Sequence, residues 1–486
     1  MNRKTPWRLS ALAAAALLSA CGGSSDPEVV VVPEPARPQD SRSFTADATI
    51  TTFAAMAADA SDTVVMSTTS RWAGVQGGAA YQVEVPANWN GKLVMYAHGF
   101  RGEGAALTVG APSIRRWLVQ NGYAWAASSY SKNYYDVRAG VEDTNALALA
   151  FNKIATANSR TLAAPSKIYI TGHSMGGHIT GAAIEAEAAA TAINKVSYAG
   201  AVPMCGVMGD TELFNQFSAM QVSAQAIAGL PKYPWANWND IKANVTSTLF
   251  TTFTGASVVP SSTGVKFASV LKNITGGERP LFDQGLAFGR SFQSSWGALG
   301  GDGSISGILL ANVLDTTGKT YTIDGDAAGT TALNASVLTV TPTADANRLR
   351  RDGLRWIPVI NGEIKIPVVS IHTLGDLFVP FSMQQVYQKR VAAKGNSAWL
   401  VQRAIRGASH CDFTVAEQVE AFDAMIKWER DGVKPAGDDV VTPATVAATS
   451  YGCKYTRNTI GPDDVGSAAQ AFRPAILATT PACPAS

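Results

Sequence analysis

Charge is scarce in this chain of 486 residues: 16% are Asp, Glu, Lys or Arg, against about a quarter in an ordinary soluble domain, and the net charge is +2. Polyanions and anionic bilayer surfaces are held by dense positive charge. The balance therefore gives no electrostatic case for nucleic acid or for a polybasic membrane patch. Histidine is scarcer still, at five residues, and cysteine also numbers five. With no C-x-x-C pair and no histidines at ligand spacing, the common zinc frameworks are excluded, and no complete D-x-D-x-D-G loop offers calcium a cage. Beyond the first twenty residues no apolar run is long and uninterrupted enough to span a bilayer. Apolar residues, at 46%, are plentiful enough for a large core.

Arg3, Lys4 and Arg8 precede the apolar run Leu9 to Leu18, and Leu18-Ser19-Ala20-Cys21 follows. The pattern reads as a secretory signal over 1–20. It resembles the lipobox of bacterial lipoproteins, which implies cleavage before Cys21, lipidation of its thiol, and attachment to a membrane through that lipid. Residues 21–44 are rich in Gly, Ser, Pro and charge, so they read as a disordered tether. Removing Cys21 leaves Cys205, Cys411, Cys453 and Cys483, an even number that in an exported chain points to two disulfides. Three pairings are open; the favoured one joins Cys205 to Cys411, tying two loops, and Cys453 to Cys483, stapling the tail.

Strand-like and helix-like segments then alternate. Ala80 to Pro86 alternates like a half-exposed strand, and Lys92 to Ala97 reads as a buried one. A helix around Ile114 to Gln120 leads to a strand over Tyr123 to Ser129. A helical segment, Val141 to Ala157, leads to the strand Ile168 to Thr171, and a helix over Ile179 to Thr191 leads to the strand Val196 to Met204. The pattern resumes with strands at Ile366 to Thr373 and Trp399 to Ile405 and a closing helix, Thr414 to Arg430. Nearly all-apolar strands alternating with helices indicate an α/β fold around a mostly parallel sheet covered on both faces. Residues 45–206 and 357–440 make this core. Residues 207–356 interrupt it and read as a cap, with helices at Trp238 to Phe253 and Gly264 to Asn273, a hairpin near Tyr321 to Gly325, and the aromatics Phe282, Phe288, Phe292 and Trp296. Residues 441–486 form a C-terminal extension.

The stretch Lys167 to Gly177 ends a strand in Gly172-His173-Ser174-Met175-Gly176, the G-x-S-x-G turn that exposes a serine at a sharp strand-to-helix bend. A serine hydroxyl needs a histidine to take its proton and an acid to orient that histidine. His98 precedes a turn glycine, His173 lies inside the motif, His178 is in the following helix, and His372 is in a core strand. His410 alone follows the last strand in a loop, so it is the expected base. Asp376 follows a strand and lies 34 residues before His410, giving the chain order Ser, Asp, His. Asp210 and Asp412 are rival acids. Backbone N–H groups are needed for the developing oxyanion; Met175 supplies one and the His98-Gly99-Phe100 loop the other, through Phe100 or alternatively Arg101. Tyr130, Tyr134 and Tyr135 follow the end of a strand and are candidates for a substrate subsite.

Over Tyr81 to Pro435, interrupted by the cap, these residues resemble the α/β-hydrolase superfamily. Within it, the H-G-F loop and G-H-S-M-G-G resemble those of bacterial esterases and lipases. The resemblance implies a central sheet flanked by helices with a cap insertion, and a Ser-His-Asp enzyme cleaving small or polymeric esters through an acyl-enzyme without metal or organic cofactor. Cysteine directly after His410 is similar to tannase and feruloyl-esterase-like enzymes, in which a disulfide joins the residues beside the serine and histidine. Here His173, not cysteine, precedes the serine. A serine peptidase or amidase of the same fold is the second reading, and a surface-binding lipoprotein without activity the third.

Overall fold

The computed structural model describes residues 43–46, 53–300, 313–342, 344, 349 and 353–483. The expected signal segment, most of the tether and Cys21 lie outside these residues. Eight strands form the main sheet: β1 (Ser70–Gln76), β2 (Ala79–Val85), β3 (Lys92–Ala97), β4 (Ala124–Ser128), β5 (Lys167–His173), β6 (Gly200–Met204), β7 (Val368–Thr373) and β8 (Leu400–Ile405). Their order is β8-β7-β6-β5-β3-β4-β2-β1. Every neighbouring pair from β8 to β4 is parallel, whereas β2 runs antiparallel to both β4 and β1.

β4, β6, β7 and β8 are buried at every position, as a parallel sheet packed on both faces requires. On one face, α2 (Val137–Ala157) and α3 (Met175–Ala183) press Val141, Phe151, Ile154 and Ile179 onto Leu93, Met95 and Ile170. On the other, α1 (Arg115–Gln120) and α4 (Val415–Asp431) pack Leu118, Phe422, Met425 and Ile426 onto Val94, Tyr169 and Val202. The outer edge of β8 is covered, since Asp438 N–H donates to the Gln402 carbonyl at 2.7 Å and the Asp438 carboxylate accepts from Ala404 N–H at 2.8 Å. A closed edge removes a template for aggregation.

The insertion between β6 and β7 does not separate from the core: Ala36–Ser486 clusters as one compact unit, and Trp238, Phe267, Phe292 and Trp296 share a hydrophobic cluster with sheet residues. Rings of Phe250, Phe267, Phe292 and Trp296 lie 5.5–6.3 Å apart, forming its centre. Three local expectations are corrected. The helix expected to reach Phe253 stops at Leu249, because Phe250–Phe253 pairs as a hairpin with Val258–Pro260. Tyr321 to Gly325 is a turn rather than a hairpin, its N–H groups going to Asn334 and Thr330 side chains. The single helix expected over Ile179 to Thr191 is two, broken where the buried Glu185 carboxylate accepts N–H from Gly362 and Glu363 at 2.8 and 2.9 Å.

Candidate active site

Ser174 stands between β5 and α3 with φ 58° and ψ −121°, a conformation an L-residue holds only when its surroundings force it. Two glycines make that bend feasible. A Cβ on Gly172 would lie 2.4 Å from the Gly176 carbonyl oxygen, and one on Gly176 would lie 2.0 Å from that of Ala97. Ser174 N–H donates to the Met204 carbonyl at 3.0 Å, tying the bend to the next strand.

The loops after β7 and β8 bring two more residues to this point. His410 Nε2 lies 2.8 Å from Ser174 Oγ, and Nδ1 lies 2.5 Å from Asp376 Oδ2. Asp376 is fully buried and its other oxygen accepts N–H from Phe378 and Val379 at 2.9 and 3.0 Å. An acid fixed in this way can only accept, so His410 donates from Nδ1 and leaves Nε2 to accept the serine proton. The rival acids are committed elsewhere: Asp210 accepts from Ile360 N–H and Arg390, and Asp412 accepts from Ala408 N–H inside the His410 loop.

None of the other four histidines serves as an alternative base. Burial pushes His98 and His173 down to about 4, and lowers His178 and His372 as well, so these rings stay neutral at physiological pH. His173 receives the Tyr96 hydroxyl at 3.2 Å and donates to Gln418 at 2.9 Å. What singles out His410 is geometry, since its Nε2 is the histidine nitrogen at hydrogen-bond distance from Ser174 Oγ.

Met175 opens α3, so its N–H belongs to the first turn, which has no intrahelical partner and carries the positive end of the helix dipole. The His98-Gly99-Phe100 loop presses on the serine, since a Cβ on Gly99 would sit 3.3 Å from Ser174 Cβ. Tyr130 and Tyr135, expected near substrate, lie instead in the core. Tyr130 is 1% exposed, stacks on His98 at 4.2 Å and donates its hydroxyl to the His98 carbonyl, bracing the loop. Tyr135 is 5% exposed and meets His178 at 2.9 Å. Their ring size favours burial over a wet subsite. Tyr134 is half-buried, and its N–H donates to the Gly102 carbonyl.

Disulfides join Cys205 to Cys411 and Cys453 to Cys483. The first ties the residue after His410 to the end of β6, beside β5 and its serine turn. Cys205, His410 and Cys411 offer ligand atoms within 4.8 Å of one another, but both sulfurs are spent on the bridge, leaving no thiolate for a metal. Sequence reading missed the insertion's part in the site. Arg279 Nε donates to the Leu374 carbonyl at 2.7 Å, and Ser291 Oγ accepts from Leu377 N–H at 3.0 Å, so the insertion grips the Asp376 loop. Phe217 packs on Phe378, whose ring meets His410 edge-on at 5.5 Å.

No protein-family model matches the chain. A 91-residue stretch is 26% identical to an o-phthalyl amidase of Xanthobacter agilis, covering 19% of this chain and 20% of that protein. Among solved structures, the chain is similar to feruloyl esterase B of Aspergillus oryzae (15% identity, 76% of this chain and 81% of that one, TM-score 0.42). It is also similar to Candida antarctica lipase A (15%, 83% and 85%, TM-score 0.37) and to Pyrococcus horikoshii acylaminoacyl peptidase (10%, 76% and 43%, TM-score 0.36). The molecule's own topology settles the architecture: an eight-stranded sheet with one antiparallel end, a serine on the turn after β5, and an acid and a histidine on the loops after β7 and β8 make this chain an α/β-hydrolase fold.

Proposed function

We propose that the chain is a serine hydrolase that cleaves carboxylic esters through an acyl-enzyme, exported and held to a bacterial membrane by lipid on Cys21. The observation that carries the catalytic reading is the unbroken chain from Ser174 Oγ through His410 to Asp376, at 2.8 and 2.5 Å. As Oγ attacks the ester carbonyl, its proton passes to His410 Nε2, and Asp376 stabilises the imidazolium. Met175 N–H and Phe100 N–H receive the oxyanion; a single such donor is worth about 10²- to 10³-fold in rate. His410 then protonates the leaving alkoxide, and water repeats the sequence to release the acid. Two disulfides fit an oxidising compartment and so support export. No helix among the described residues is long and apolar enough to cross a membrane.

The match to an amidase supports a second reading, cleavage of amides by the same machinery. A fluorophosphonate probe is expected to label the wild-type protein and to leave Ser174→Ala unlabelled. Paired p-nitrophenyl esters and p-nitroanilides of the same acids then separate the two readings, with esters turned over faster. Preference for anilides would install the amidase reading. A wild-type protein that neither labels nor hydrolyses either series would overturn both.

A further inference from the structure

The His410 loop, residues 406–414, is fastened from a direction the catalytic reading does not use. Its Asp412 is fully buried and folds back to accept Ala408 N–H at 2.8 Å, closing the loop around His410. Against it lies Arg473, 1% exposed and carried by α5 (Ala468–Thr479) in the C-terminal extension. Arg473 Nη2 donates to the Asp412 carbonyl at 3.0 Å, and its Nη1 and Nη2 fork onto both Glu417 oxygens at 2.9 Å each. Glu417 is the capping-box acid of α4, its Oε2 accepting Thr414 N–H at 2.8 Å. One guanidinium thus holds both the end of the loop and the first turn of the helix that follows it.

The rest of the extension reinforces the same loop. Arg406, its first residue, donates to the carbonyls of Thr449 and Pro481, and Asp464 accepts Val415 N–H at 2.7 Å. The disulfide Cys453–Cys483 closes this segment on itself. A buried arginine is costly unless it is well partnered; the loop, α4 and the extension together accept from both Nη groups, and Nε lies 3.9 Å from Asp412 Oδ1. Burial raises the Asp412 and Glu417 carboxyls above the usual carboxylate range, and the Arg473 charge opposes that rise.

We propose that the C-terminal extension is a clamp for the histidine loop and that Arg473 is a positioning residue for the hydrolytic reaction, acting through Asp412 on His410. The inference rests on the catalytic reading above. A general base displaced by a fraction of an ångström loses its line to the serine, so release of the clamp lowers turnover and leaves substrate binding nearly intact.

Two variants of the full chain test it. Arg473→Lys keeps the charge but loses the fork; Arg473→Met removes both. Expected for each folded variant is a kcat per active site, counted by fluorophosphonate titration, reduced roughly ten- to a hundredfold for Met and less for Lys, with KM nearly unchanged. Faster hydrogen exchange in peptides spanning 406–414 accompanies the loss. A merely structural arginine would lower the fraction of titratable sites and leave kcat per site at the wild-type value, which overturns the proposal. Unchanged kcat and unchanged exchange in Arg473→Lys overturn it as well, even if Arg473→Met does not fold. A wild-type protein that is neither labelled nor active defeats the catalytic reading instead, while the exchange measurement still reports whether Arg473 clamps the loop.

Discussion

Asp376 shows how much one residue's surroundings decide. It sits at a strand end like many turn aspartates, but both its oxygens are used: one by two backbone N–H groups, the other by His410. Asp376→Asn keeps the shape yet presents an amide that donates where the imidazole must donate, so the ring loses its tautomer. The expected result is a fall in kcat of about 10⁴-fold at neutral pH, with labelling of Ser174 slowed in proportion; a loss below tenfold would remove Asp376 from the role. That Ser174, His410 and Asp376 meet was legible in the sequence because each follows a strand end and because five histidines leave few choices. The burial of Tyr130 and Tyr135 was not legible for the opposite reason. Position after a strand says that a side chain is near the site, but which way the backbone turns it does not follow from spacing, and Tyr130 at φ 60° turns inward beneath the His98-Gly99-Phe100 loop.

At the scale of elements, buried strands declared themselves and polar interruptions did not. Seven of the eight sheet strands appear as apolar or alternating runs, whereas β1, Ser70–Gln76, mixes polar and apolar residues on an exposed edge and carries no such signal. The break between Met175–Ala183 and Ala186–Thr191 was equally hidden, because Glu185 serves partners 177 and 178 residues away. Burial raises the Glu185 carboxyl from 4.5 to about 7, so the folded protein holds this proton more tightly than the unfolded chain. For such a group the unfolded state binds fewer protons between these values, and its contribution to stability falls as pH rises from 4.5 to 7. Glu185→Gln keeps an acceptor oxygen for one of the two N–H groups and removes the titration, so its constant cost does not enter the pH dependence. Its stability relative to wild type is therefore expected to rise across that window, by an amount on the order of 3 kcal/mol. Urea unfolding at pH 4.5 and pH 7.5 checks this; a difference between the two proteins that does not change with pH refutes it.

At the scale of the whole molecule, the chain must gather a site from its two ends around a long insertion. Ser174 and His410 are 236 residues apart, and the segment between β6 and β7 accounts for most of that distance. Of the aromatics read from sequence, Phe292 and Trp296 lie in its aromatic centre with Phe250 and Phe267, but its grip on the Asp376 loop was not legible, since contacts such as Leu377 N–H to Ser291 depend on how distant segments meet. The Cys205–Cys411 bridge spans 206 residues and closes the loop that contains the entire insertion, fastening β6 to the residue beside the base. In the unfolded chain that closure removes a large part of the loop's freedom, a stabilisation of about 2–4 kcal/mol for a native bridge. Cys453–Cys483 closes only 30 residues and touches the site through the extension. Replacing Cys205 and Cys411 with serine is therefore expected to lower the melting temperature by several degrees and, at temperatures well below melting, to reduce kcat per titrated serine. Replacing Cys453 and Cys483 is expected to lower the melting temperature less. Calorimetry alongside active-site titration makes the comparison, and equal effects of the two pairs on kcat would show that the long bridge has no special hold on the histidine loop.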